Sequence, residues 1–259
     1  MKKTKKLNFL EWNNHVLMES LRKLDWNILL VVFFDVLFYA LSGFILFFWF
    51  QRVMEGIMSF KVPPDIISLG YERAQQLSRD VRLFYIVLVA SLILVLIAII
   101  FLASILKGII WAKTTKTKIT FALISKFLLL NLIWMGFWFV VILLISILFD
   151  PKVSALVIGA TIVLSFYLTN TLYTIFMKEQ RIGIIFKSIR ISITKIHLFL
   201  FPYLITILLF FILVKISFLV KVNYSQIITS VLIIILIAIV RYYHSTLIFE
   251  LGKQEQKNL

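Results

Sequence analysis

A chain of 259 residues that is 62% apolar and only 15% charged, with a mean hydropathy of +1.03, cannot hide its apolar surface as a water-soluble globule. Cysteine is absent, which excludes a disulfide scaffold, a thiolate zinc or iron–sulfur site, a c-type haem and a cysteine nucleophile. The net charge of +15 falls in segments between apolar blocks rather than on a basic soluble domain, so it argues for anionic lipid headgroups as partners and against nucleic acid.

A spanning helix needs roughly 20 apolar residues to cross about 30 Å of hydrocarbon. Six stretches meet that length, predicting an all-α polytopic membrane protein: a single domain, 1–259, built as a bundle of six transmembrane helices with amphipathic interfacial helices. The amino-terminal MKKTKK is followed by Glu11, Asn13, Asn14 and His15 with no small-residue cleavage site, and so does not read as a cleavable signal. Residues 9–24 carry Phe9, Leu10, Val16, Leu17, Leu21 and Leu24 among polar neighbours, predicting a short helix in the membrane interface.

The first span is predicted at 27–50. An outer loop follows over 51–82, with Pro63-Pro64 and a helix-compatible stretch in which Ile66, Leu69, Leu77 and Val81 could rest on the membrane face. The second span, 83–106, is a continuous apolar run that contradicts the alternating ten-residue segments of a β-barrel. Spans three and four, 122–149 and 153–177, are separated by Asp150-Pro151-Lys152, where proline suits a first helical turn. Between 181 and 196, Ile182, Ile185, Phe186, Ile189, Ile193 and Ile196 recur at three- and four-residue intervals, predicting a second interfacial helix. Spans five and six are predicted at 197–220 and 225–249. Pro202 removes an amide donor from the fifth, and Asn223-Tyr224-Ser225 between them matches a glycosylation acceptor.

Of the 27 Lys and Arg residues, 19 fall on the side holding both chain ends, which predicts that both termini face the cytoplasm across the cell membrane. A cationic segment leads into each pair of spans: ESLRKLDWNILL, KTTKTKITFALISKFLLLN and FKSIRISITKIHLFLFP. This layout, chiefly SLRKLDWN and KSIRISITK, resembles a broad group of poorly characterised prokaryotic six-span proteins. That group includes the membrane domain attached to some glycerophosphodiester phosphodiesterases. The resemblance covers most of the chain and implies a six-span membrane domain. The phosphodiesterase domain has no counterpart here, so its hydrolytic activity is not implied.

Polar residues inside the spans carry the functional information, because a charge near the bilayer centre costs about 2.5 to 3.5 kcal/mol on insertion scales. Asp35 lies eight residues into span one, about 12 Å from its inner end, and Arg241 lies at a matching depth in span six. Lys126 and Asn131 in span three, Asn170 with Thr169 and Thr171 in span four, and His244 in span six fall in the same half. Together they predict a polar layer in the inner leaflet. Asp35 paired with Arg241 or Lys126 would serve register alone. In a water-filled cavity, Asp35 would instead carry a proton or cation, and Arg241 would anchor an anionic solute. The aromatic cluster around Trp134 and Trp138 reads as packing or lipid-facing surface.

His15, His197 and His244 are not spaced as metal ligands, and no glycine-rich phosphate loop, paired-His metalloprotease signature or serine elbow occurs. No cofactor and no enzymatic activity are therefore expected. Two readings follow: a non-enzymatic accessory or scaffold component with a protein partner or second copy, or a small permease for a proton-coupled or anionic solute.

Overall fold

The structure is a computed structural model that describes residues 9–60, 70–219 and 225–257. Among these residues there are eight helices and no strand. They are α1 (Phe9–Arg22), α2 (Asn27–Ser59), α3 (Gly70–Thr114), α4 (Phe121–Leu148), α5 (Pro151–Glu179), α6 (Ile184–Thr194), α7 (Ile196–Leu219) and α8 (Ser225–Lys257). All but α1 and α6 are long and apolar enough to cross a membrane. Only 6% to 33% of each apolar window is buried by the chain itself, so the rest needs hydrocarbon as its solvent. The fold is that of an all-α, multi-pass membrane protein.

The helix-compatible part of the outer connection extends the second span. Where a loop is predicted over 51–82, α2 continues to Ser59 and α3 begins at Gly70, so much of the segment is helix. Its residues RAQQLSRDVR are strong helix formers, and they extend the apolar run without a break. Pro63-Pro64, Ile66 and Leu69 lie outside the described residues, as do Asn223 and Tyr224 of the glycosylation tripeptide and the lysines of the amino-terminal MKKTKK.

The chain groups into two compact units, 1–36 with 104–259, and 37–103. The smaller unit is a helical hairpin. Trp49 donates its indole N–H to Ser91 Oγ at 3.0 Å, and Phe60 meets Phe84 edge-on at 5.2 Å between ring centroids. Gly56 packs beneath the Phe84 ring, where a side chain would collide.

The larger unit concentrates its core at one end of the helices. Trp12 and Val16 of α1, Trp111 near the end of α3, Leu123, Phe127 and Leu130 of α4, Leu172 and Phe176 of α5, Phe199 of α7 and Leu247 of α8 are all buried there. Local chemistry sets the helix ends. Thr120 caps α4 by accepting from the Leu123 amide, Asp150 caps α5 by accepting from the Lys152 amide, and Pro151 occupies the first turn of α5. Gln180, at φ 51°, closes α5 in the left-handed region.

The two short helices pack against the long ones. Helix α1 buries Trp12, Asn13, Val16 and Ser20, and Tyr243 donates its hydroxyl to Asn13 Oδ1 at 3.2 Å. Helix α6 turns Ile184, Ser188 and Ser192 inward, one residue per turn, while Phe186 and Ile193 of the expected apolar stripe stay exposed. The small serines let α6 approach α5 closely, and Tyr167 donates to the Ser192 carbonyl at 2.7 Å.

Helices α3 and α4 meet at Gly108, where a Cβ would sit 2.9 Å from Ile124 Cδ1 and 3.2 Å from Phe127 Cδ1. Gly108→Ala is expected to be mild, since the Ile124 terminal methyl can swing away. Gly108→Leu would wedge against the fully buried Phe127 and cost about 1–3 kcal/mol, checked by thermal unfolding in detergent.

Candidate functional site

Within the larger unit the polar residues of the spans assemble into paired groups. The centre is Asp35, on the third turn of α2, fully buried and held from two other helices. Arg241 of α8 grips it with both arms: Nη1 donates to Oδ2 at 2.8 Å and Nη2 donates to Oδ1 at 3.2 Å. Lys107 of α3 donates from Nζ to Oδ1 at 2.6 Å. The bidentate fork suits a planar guanidinium, and burial strengthens each charge-assisted bond. The Arg241 guanidinium also lies over the Trp111 ring, 5.5 Å from its centroid, so indole rather than water covers its face.

A second group joins α3, α4 and α5. Asn131 donates from Nδ2 to Ser104 Oγ at 3.0 Å and accepts at Oδ1 from the Tyr173 hydroxyl. Tyr173 in turn packs edge-on to Trp111 and against Phe127. The third group joins α5, α7 and α8. Thr171 Oγ1 and His244 Nε2 are 3.1 Å apart, and the imidazole stacks on Phe199 at 4.9 Å. Asn170 donates to the Tyr203 hydroxyl at 3.0 Å, and Tyr203 packs edge-on to both His244 and Tyr167. Thr169 accepts from the Trp134 indole at 2.8 Å, placing Trp134 in the protein core rather than against lipid.

The structure therefore places Asp35, Asn131, Asn170, Arg241 and His244 of the sequence-derived set in buried, bonded positions. Lys126 is the correction. It is exposed on α4 and joins none of these groups, because the face of α4 turned to the protein is that of Leu123, Phe127 and Leu130. Its place beside Asp35 is taken by Lys107, which the sequence reading leaves in the inner connection. The clue was local: Lys107 is followed by GIIWA, so it interrupts an apolar run rather than ending one, and α3 continues to Thr114.

Among the described residues no group of three or more His, Asp or Glu side chains could hold a metal ion. The chemistry available in the layer is hydrogen bonding and ion pairing between helices. No family model matches the chain, and comparisons with curated proteins and with solved structures return no match.

Proposed function

We propose that the protein is a non-enzymatic accessory or scaffold component of the cell membrane, with both chain ends on the cytoplasmic side. The observation that carries this reading is the closure of Asp35. A carboxylate that accepts three charged hydrogen bonds and has no exposed surface holds α2, α3 and α8 together, which favours a structural over a carrier role. The distribution of 19 of the 27 basic residues supports the orientation. The long apolar faces left exposed on α2 and α3 support a role that presents surface to lipid or to a partner chain within the membrane.

Reconstitution tests the reading. Proteoliposomes containing the wild-type chain should leak protons and small anions no faster than protein-free vesicles. Crosslinking from the exposed faces of α2 and α3 in native membranes should yield a defined species larger than one chain. Solute flux that depends on Asp35 would overturn the reading in favour of a permease. Recovery of a lone, homogeneous chain after crosslinking would remove its scaffold element.

A further inference from the structure

We infer that the groove at the end of α3 is a binding site for a phosphate group, carried either by an anionic phospholipid headgroup or by a soluble phosphate. The inference is independent of whether the chain acts as scaffold or permease.

The groove has a volume of about 530 Å³, and its lining includes Lys113, Lys116 and Lys118 with Asn27 at the start of α2. That volume lies in the range of small-molecule sites, roughly 300–1,000 Å³. The turn that builds it is fixed by the backbone. The Thr117 amide donates to the Ala112 carbonyl at 2.8 Å and the Lys116 amide to the Lys113 carbonyl at 3.3 Å, a Schellman closure of α3. Lys116 occupies the left-handed position at φ 56°, where glycine is the ordinary occupant. Three ammonium groups thus share one short turn.

Among the described residues no carboxylate lines the groove. The adjacent Asp25 is tied to two of the lining residues: its Oδ1 caps the Asn27 amide at 3.1 Å, and its Oδ2 takes the Asn27 side-chain amide at 3.0 Å and Lys116 at 3.2 Å. Burial pushes the Asp25 carboxyl up, but these hydrogen bonds and the Lys116 charge outweigh it and hold the group below the ordinary carboxylate value. Asp25 is therefore ionised at neutral pH and balances one lysine of the three. The charges of Lys113 and Lys118 remain, while Asp25 also caps the start of α2. Ammonium groups are compact point charges suited to phosphate, and the exposed Ile119 in the same lining suits the apolar flank of a phospholipid headgroup.

The test uses the full chain in nanodiscs. In phosphatidylcholine discs containing phosphatidylglycerol, native mass spectrometry should find one phosphatidylglycerol retained per chain. In pure phosphatidylcholine discs, calorimetry with inorganic phosphate reads the soluble alternative. Either signal supports the site and identifies the source of the phosphate. The Lys113→Gln/Lys118→Gln variant should bind about thirtyfold more weakly, and the exposed Lys118→Gln alone about fivefold, whereas Lys113→Arg/Lys118→Arg should retain binding. The arginine variant separates loss of charge from loss of fold. Binding of neither probe, or equal loss in an Arg181→Gln/Arg190→Gln control, would overturn the inference.

Discussion

Asp35→Asn is expected to abolish most of the folded yield, because it removes the carboxylate that pairs with both Arg241 and Lys107 and leaves two cations near each other inside the membrane-spanning region. Removing one partner of a buried ion pair costs about 3–5 kcal/mol, and here the remaining charges also repel. The measurement is the fraction of protein eluting as a monodisperse peak from detergent, with thermal unfolding of that fraction. Replacing all the charges together, as in Asp35→Asn/Arg241→Gln/Lys107→Met, should recover most of the yield. Buried charged clusters exchanged for neutral groups of similar size are often no less stable than the original. Full yield of Asp35→Asn alone, with loss of a solute flux present in the wild type, would contradict the scaffold proposal directly.

The second large effect is expected at Trp111, which is 2% exposed and serves two of the three polar groups at once. Its ring covers the Arg241 guanidinium and meets the Tyr173 ring edge-on at 5.9 Å, so it separates the ion cluster from the Asn131 network and keeps both dry. Trp111→Ala should cost about 3–5 kcal/mol by opening a cavity among side chains that cannot collapse to fill it. Trp111→Phe keeps an aromatic edge for Tyr173 and loses mainly the stronger cation–π contact, and it should cost about 1–2 kcal/mol. Thermal unfolding in one detergent, with wild type alongside, orders the two variants. Equal losses would mean that the Arg241 contact, rather than ring volume, dominates.

Much of the architecture was legible along the chain. Hydrocarbon imposes a length requirement that a linear string either meets or does not, and the apolar runs meet it six times with little ambiguity. Asp150-Pro151 marks a helix boundary for equally local reasons, a side-chain cap followed by a residue already set for the first turn. The depth match between Asp35 and Arg241 was readable because helical rise converts residue number to distance.

Other features were not legible because they depend on which face of a helix finds a neighbour. Lys126 and Lys107 both adjoin apolar runs in the basic half of the chain, and helical rise alone cannot say which of them turns toward Asp35. Helix α6 shows the same limit. Its hydrophobic stripe is plain in the sequence, and Ile185 and Ile189 of it pack on the core, yet the most buried face is Ile184, Ser188 and Ser192, where small side chains permit a close approach. In the outer connection the polar residues predict a water-exposed segment, and polarity alone does not distinguish a loop from a helix that extends past the apolar run.

Composition and periodicity by themselves determined that this is a helical membrane protein with six spans and charged residues within them, because solvent transfer and helical rise act residue by residue. Only the tertiary structure decided that Asp35 is shared by Arg241 and Lys107 and that Trp111 roofs the cluster. Those outcomes depend on helix rotation and packing between segments up to 206 positions apart, which no local pattern encodes.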